Sequence, residues 1–530
     1  KLCVVAMMVP LSFLWCLLLH LVSSTSNEAP QDYSESLYNA LQYKYRAALK
    51  KASATASESA YRSTMQTICI MTRDNVCLST DMYTPAKELH SPPYDVLYAK
   101  TPYGKDTLAA DATVAEPQGW VFLAQDVRGR GESNGSYSFW RTSGNDTMDT
   151  MEWVLNQNWS TTNIAAIGVS ANALAQYADL IGVTQFPVGS QQFDYYNGIF
   201  QHLRIAQLFL GDGMGWHTVY QGGAYRTGLI SGWLTDLHEA DMIETVQQHE
   251  AFDSWWVPLC GPYNDQWKIL NQTVIHFAGF YDIFSTPQIR TALAVNASAQ
   301  SDAQGKQILV VDPGGHCPMG EIVWPNDLYG FEFIEYWGIP AVRNAFEYGD
   351  NNDMSDFDIH QYFPFNALWY QLGPGELGSN GNYWIQAESF PPFVDTEWYL
   401  TSNGGLSSSP QSTADKESYF YNPKNPVETW GGNNLILQPC GPWDQTKVEQ
   451  ARDDILHFTS ANLTEDVALV GEIRLNLFVE SDAVDTDFTA KLIDVHPNGK
   501  PYLVQDGILR MRWRDTATWT PGVYQTSPSP

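Results

Sequence analysis

Residues 164–173 read Ile164-Ala165-Ala166-Ile167-Gly168-Val169-Ser170-Ala171-Asn172-Ala173. An apolar run suited to a buried strand ends in Gly-Val-Ser, and helix-forming residues continue from Ala171 to Ile181. Strand, sharp turn, serine, helix is the pattern of a nucleophile elbow, where the hydroxyl stands at the top of a sheet and faces a pocket. Gly168 suits such a turn because neighbouring backbone comes close to the serine there. The stretch departs from Gly-x-Ser-x-Gly, since Asn172 replaces the second glycine. An ordinary serine at a helix N-cap explains the same ten residues about as well. The rest of the chain decides between the two.

Working outward, strand-like runs at residues 96–99 and 120–125 precede a helical pattern around 147–155, then the run before Ser170 and the helix after it. Alternation of this kind predicts a parallel sheet covered by helices. Two further buried strands are expected at 274–278 and 307–311. The first runs into Gly279-Phe280-Tyr281-Asp282, the second into Asp312-Pro313-Gly314-Gly315-His316. A serine nucleophile needs a base, an acid to orient it, and donors for the oxyanion. Asp282 and His316 follow Ser170 in the chain order used by α/β-hydrolases, each just past a strand end. A lone histidine after Gly-Gly reads as a loop residue; three residues in order at three strand ends read as a triad.

The remaining chain is divided by composition. Residues 27–60 are polar, alanine-rich and expected to be helical, and 65–83 read as strand, turn, strand with the bend at Arg73-Asp74-Asn75. The hydrolase sheet is assigned to 60–190 and 267–364. Between them, 191–266 is rich in aromatics and helix formers, including Phe200, Trp216, Trp233, Trp255 and Trp256, and is expected to be a helical cap. From 365 to 530, Gly, Pro, Ser and Asn clusters separate short alternating runs such as 473–478 and 488–493, which suits a β-sandwich.

Composition excludes several functions. The 530 residues are 44% hydrophobic and 17% charged, as in a globular protein, and the net charge of −30 argues against nucleic acid and anionic membrane surfaces. Lys1 heads an apolar run that ends in Ser23-Ser24-Thr25-Ser26, the form of a secretory signal over residues 1–26; an uncleaved signal anchor is the alternative. No stable membrane insertion is expected after cleavage, and the protein is expected to be secreted or lumenal. Six N-glycosylation sequons, at Asn134, Asn145, Asn158, Asn271, Asn296 and Asn462, agree with that route. Five cysteines follow the signal (Cys69, Cys77, Cys260, Cys317, Cys440), enough for two disulfides and one free thiol. Cys69 and Cys77 would not face each other directly across a two-residue hairpin, so spacing assigns no bridge between them. No zinc-ligand pattern, cofactor motif or catalytic metal site is read, and Arg128-Gly129-Arg130-Gly131 lacks the Gly-Lys-Ser/Thr of a phosphate loop and reads as a structural turn.

Several stretches together resemble the Xaa-Pro dipeptidyl-peptidase and cocaine-esterase family of serine hydrolases. They are Thr101-Pro102-Tyr103-Gly104-Lys105, the Asp-x-Arg-Gly-x-Gly-x-Ser loop from Asp126 to Ser133, Glu152-Trp153 with Gln157-Asn158-Trp159-Ser160, and Gly279-Phe280-Tyr281-Asp282. Asp485-Thr486-Asp487-Phe488 and Asp506-Gly507-Ile508-Leu509-Arg510 complete the set, in family order over residues 65–525. The resemblance implies an α/β-hydrolase domain with an inserted helical cap, followed by a C-terminal β-sandwich of jelly-roll, galactose-binding-like form. It implies Ser170 as nucleophile, His316 as base and Asp282 as its orienter, with the oxyanion held by the Tyr103 hydroxyl and the Ala171 N–H. The family has Tyr and Gly where Ala171 and Ala173 stand here, which alters the pocket wall and the packing of the helix. Its jelly roll also runs further than Pro530, so a shortened sandwich is expected.

The implied substrate is a small ester or a dipeptidyl Xaa-Pro peptide. Acidic residues that would bind a substrate ammonium are missing after Asp282, where Ile283-Phe284-Ser285-Thr286 stand, though Asp194, Asp212, Glu239 or Asp241 of the cap offer carboxylates. The aromatic cap favours proline or an aromatic acyl group. A catalytically weak relative and an adhesion protein using the sandwich are the competing readings.

Overall fold

The computed structural model describes residues 2–7, 18–23, 64–182, 191, 200–209, 216–256, 270–298, 303–316, 322, 324, 338–349, 357–375, 381–388, 390, 394–411, 416–435, 439–449 and 452–517. The helix expected at 27–60 lies outside them.

Ten strands form the central sheet: Thr64–Met71 (β1), Cys77–Thr84 (β2), Tyr94–Thr101 (β3), Val121–Asp126 (β4), Ser160–Val169 (β5), Leu203–Phe209 (β6), Thr273–Gly279 (β7), Ile308–Asp312 (β8), Ala367–Gln371 (β9) and Tyr383–Ala387 (β10). Their order is β10-β9-β8-β7-β6-β5-β3-β4-β2-β1, parallel from β9 to β4 and antiparallel at the two flanks. The chain moves from β3 to β4 on one side and from β5 to β6 on the other. That reversal opens a crevice beyond the carboxyl ends of β3 and β5, where α/β sheets bind ligands.

Alternation across the strands explains why the sheet is covered twice. Leu97, Ala99, Phe122, Ala124, Ala165 and Ile167 face one core, packed by Ala341, Val342, Ala345 and Phe346 of the helix Ile339–Gly349. Val96, Tyr98, Val121, Leu123, Ile164 and Ala166 face the other core. It is packed by Met148, Met151 and Val154 of α1 (Ser143–Leu155) and Ala173, Tyr177 and Leu180 of α2 (Ala171–Gly182). Both faces are apolar, so these strands read as continuous hydrophobic runs. Burying a side chain the size of Phe122 is worth about 2–3 kcal/mol.

One strand lies where a wholly helical cap was expected. β6 falls inside residues 191–266 and fills the sheet between β5 and β7. Arg204 and Gln207 interrupt its apolar pattern, which hid it from a periodicity argument; both are buried. Arg204 donates to Asn163 Oδ1 at 3.0 Å and to the carbonyls of Gln201 and Gly349, and Gln207 donates to Gly338 O at 2.8 Å. The described part of the insertion that follows contains the helices Thr227–Asp236 (α3) and Met242–Gln248 (α4). β9 and β10 lie beyond residue 364, so the C-terminal part lends two strands to the central sheet.

A second sheet of eight strands includes Val394–Thr401, Gly405–Ser407, Leu456–Ser460, Ile473–Asn476, Asp487–Val495 and Pro501–Arg510. Leu2–Met7 and Leu18–Ser23, from the apolar run expected to serve as a signal, pair into it. Such pairing satisfies backbone that an open sheet edge leaves exposed. The connection between β1 and β2 runs over 72–76 and is longer than a two-residue turn. Met71 therefore stands opposite Cys77 and Cys69 opposite Ser79, and Cys69 and Cys77 are bridged as diagonal neighbours with Cα atoms 5.4 Å apart. Cys440 is also disulfide-bonded.

Two buried polar contacts tie α2 to the sheet. Tyr177 O–H meets His276 Nδ1 at 2.6 Å, and the opposite ring nitrogen lies 3.3 Å from Gln307 Oε1. Lys100 of β3 pairs with Asp179 of α2, and Thr147 donates to the same carboxylate at 2.9 Å. Burial lowers the His276 pKa from 6.5 to about 4. As pH falls below 6.5 the unfolded chain takes up a proton that the folded chain refuses until about pH 4, so stability is lost across that window. At 1.36 kcal/mol per unit the loss is about 3 kcal/mol. Between pH 7.5 and 4.5 the wild-type denaturation free energy is expected to fall by about 2–3 kcal/mol more than that of His276→Gln. Equal falls in the two proteins would contradict this.

Candidate active site

β5 ends at Val169 and α2 begins at Ala171, so Ser170 alone makes the turn. Its φ of 57° is left-handed, a conformation costing about 1–3 kcal/mol for a residue with a side chain. A Cβ on Gly168 would lie 2.7 Å from Asn172 O and 2.8 Å from Ala173 N, and that backbone contact requires glycine. Asn172, at the position of the pattern's second glycine, meets Gly168 through its backbone and leaves the turn intact. Ala171 N–H belongs to the first turn of α2 and has no acceptor within the helix, so it is one candidate oxyanion donor.

Asp282 and His316 follow β7 and β8, and the structure joins them: His316 Nδ1 is hydrogen-bonded to Asp282 Oδ2. The Asp282 carboxylate is fully buried, and its other oxygen accepts the Phe284 N–H at 2.8 Å. Asn433, from the C-terminal part, donates to Asp282 O at 2.9 Å. Two glycines let the loops meet. A Cβ on Gly279 would lie 2.3 Å from Gly314 O, and one on Gly315 2.4 Å from Tyr281 O. His316 Nε2 is buried and has no hydrogen-bond partner, so it is the nitrogen left to exchange a proton.

The elbow and the Asp–His pair share one environment. β5, β6 and β7 are level at Val169, Phe209 and Phe277, so their carboxyl ends open on the same edge. Ile283 and Phe284 lie in the apolar cluster that holds Ala171, Val127, Phe139, Trp140 and Trp216, and the Phe284 ring packs edge-on to His316 at 5.5 Å. Ala171, where the family has an aromatic residue, thus meets a wall already rich in rings.

Tyr103 lies two residues past β3, the strand beside β5, on the opposite lip of the crevice. The Trp233 indole N–H of α3 donates to its hydroxyl oxygen at 3.0 Å. The Asp126–Ser133 loop is what holds the Tyr103 loop. Asp126 accepts the Lys105 N–H at 2.7 Å and the Glu132 N–H at 2.9 Å, and Ser133 Oγ donates to Asp126 O at 2.7 Å. Gly131 leaves no room for a Cβ, which would fall 2.2 Å from Asp126 Oδ2. Arg128 spans Asp74 and Asp146.

Trp233 was read only as one aromatic of the cap and Arg130 only as part of a structural turn, while Asn433 and the Lys100–Asp179 pair were not singled out from sequence. Lone charges inside the apolar runs of β3 and α2 were the available signal for Lys100 and Asp179; Asn433 gave none. Of the acidic cap residues, Glu239 lies 3.4 Å from Arg130 and Asp241 precedes α4, while Asp194 and Asp212 fall outside the described residues. Among the described residues no cluster of His, Cys, Asp and Glu is arranged to hold a metal ion. Nor is any helix among the described residues long and apolar enough to cross a membrane.

Residues 74–184 match the X-Pro dipeptidyl-peptidase (S15 family), and 366–523 match the X-Pro dipeptidyl-peptidase C-terminal non-catalytic domain. Tyr103 and Ser170 lie inside the first match; Asp282 and His316 lie between the two. The chain is 28% identical to the cocaine esterase of Rhodococcus sp. (strain MB1 Bresler) over 521 residues, 86% of this chain and 84% of that one. Two solved structures, each 18% identical, share its fold. An aminopeptidase from a marine sediment archaeon, Thaumarchaeota archaeon, has a TM-score of 0.61 over 88% of this chain and 84% of its own. An α-amino acid ester hydrolase has a TM-score of 0.58 over 88% and 85%.

Proposed function

The chain belongs to the X-Pro dipeptidyl-peptidase and cocaine-esterase family of serine hydrolases, and from that premise we propose that it hydrolyses carboxylic esters with an apolar or aromatic acyl group. Ser170 Oγ attacks the carbonyl carbon while His316 Nε2 takes its proton. Asp282 holds Nδ1–H and stabilises the imidazolium. The oxyanion accepts from the Tyr103 hydroxyl and the Ala171 N–H. His316 then returns the proton to the leaving alcohol, and water attacks the acyl-enzyme by the same route. The observation that carries the reading is the His316–Asp282 hydrogen bond, which leaves a buried, unpartnered Nε2 on the same sheet edge as a serine held at positive φ.

The choice of ester over dipeptidyl substrate rests on the pocket. Ile283 and Phe284 after Asp282 are buried among rings, and Glu239 already faces Arg130, which leaves a substrate ammonium poorly served. We read the insertion after β6 as a cap over this pocket and the second sheet as a jelly roll. A panel of chromogenic substrates tests the choice. Aryl esters of benzoic and short alkanoic acids are expected to be turned over with kcat/KM at least about 100-fold above Gly-Pro anilides, the discrimination one missing polar anchor imposes. A reversed ratio would make the enzyme a dipeptidyl-peptidase.

We also propose a secretory route, which rests on the sequons alone, because the apolar N-terminal run pairs into the second sheet. Asn134, Asn158 and Asn462 are exposed, whereas Asn145, Asn271 and Asn296 are partly buried, so glycans belong on the first three. Glycan mapping after expression in a eukaryotic secretory host tests this, and three bare exposed sequons would contradict it.

A further inference from the structure

We propose that Trp233 is a positioning residue for the reaction: its indole N–H fixes and polarises the Tyr103 hydroxyl so that the phenol proton points to the oxyanion. The inference rests on reading Tyr103 as an oxyanion donor. A phenol O–H lies near the plane of its ring and has two favoured directions. At 3.0 Å the Trp233 N–H occupies the oxygen on one side. The phenol proton is thereby turned to the other side, and an oxygen that accepts one hydrogen bond donates the next more strongly. Desolvation pushes the Tyr103 phenol up even though the residue is 47% exposed, while the Trp233 hydrogen bond and the Arg130 charge pull it down. A donor so biased matches a developing negative charge better than a phenol left to rotate.

Arg130 holds the two rings in register. Its Nε donates to Pro102 O at 3.1 Å, one residue before Tyr103, and its Nη1 donates to Leu237 O at 2.6 Å, at the end of the helix that carries Trp233. Leu237 N–H in turn bonds to Trp233 O at 3.0 Å. One guanidinium thus braces the loop with the acceptor against the helix with the donor. The insertion contributes to the oxyanion hole without touching substrate at this point, so the hole is complete only when α3 is docked.

A double-mutant cycle on an aryl ester tests this. Tyr103→Phe is expected to lower kcat about 100-fold, as for loss of one oxyanion donor. Trp233→Phe, which keeps a ring but loses the N–H, is expected to lower kcat about 3- to 10-fold, the worth of one neutral hydrogen bond, with KM unchanged. In the Tyr103→Phe background the same change is expected to cost less than about 2-fold, because the group it acts through is gone. Affinity for an arylboronic acid, which forms a tetrahedral serine adduct, is expected to fall with kcat, while affinity for the product acid stays constant. If Trp233→Phe costs the same factor in both backgrounds, or raises KM alone, Trp233 is only a pocket wall and the inference fails. If Tyr103→Phe itself leaves kcat unchanged, the oxyanion role of Tyr103 fails first and the inference with it. Arg130→Gln, which leaves both rings in place, runs the same cycle if Trp233→Phe does not fold.

Discussion

Ser170→Ala is expected to lower kcat on an activated aryl ester by about 10⁵- to 10⁶-fold, the loss seen when the nucleophile of a serine triad is removed. The substitution deletes one oxygen at a partly buried turn, and alanine meets the same positive φ that serine does. The fold is therefore expected to survive, with a denaturation midpoint close to that of the wild type. A residual rate about 10³-fold over water would remain from the oxyanion donors and substrate binding. The measurement is kcat on purified variants matched for circular dichroism. A loss below about 10-fold would mean that another group attacks the carbonyl.

Asp282→Asn is expected to lower kcat by about 10³- to 10⁴-fold with little change in KM. Asp282 meets two donors at once, the Phe284 N–H and the His316 ring. An amide has only one oxygen for them. If that oxygen keeps the Phe284 N–H, its NH₂ faces Nδ1 and forces the ring into the tautomer that protonates Nε2, the nitrogen that must accept the serine proton. Size and burial are conserved, so the stability cost is modest while the chemistry is lost. A pH–rate profile on the same variant checks the cause. Activity is expected to stay low at every pH, and recovery at high pH would contradict the tautomer explanation.

Much of the fold was legible because its strands are buried on both faces and its elbow is local. The runs before Ser170 and His316 are apolar, the run before Asp282 is broken only by His276, and the glycines that follow mark close approaches that the structure shows at Gly168, Gly279 and Gly315. β6 escaped because Arg204 and Gln207 donate to carbonyls distant in sequence, which no window on the strand can reveal. The Asp126–Ser133 loop was visible as a motif, but its work is tertiary: it holds the Thr101–Lys105 loop through Asp126 and Arg130. Trp233 looked like one aromatic among many in the insertion. Only the position of α3 over the crevice sets it apart. The Cys69–Cys77 bridge followed from a connection of five residues rather than two, since an odd change in its length shifts the register and makes the two side chains diagonal.

Labelling with a fluorophosphonate, followed by mass spectrometry of the peptides, tests the central claim most directly. A single adduct is expected, on the peptide carrying Ser170, absent from Ser170→Ala and formed far more slowly in Asp282→Asn. An adduct on another residue, or one formed at the wild-type rate in either variant, would contradict the assignment of Ser170 as the nucleophile activated by His316 and Asp282.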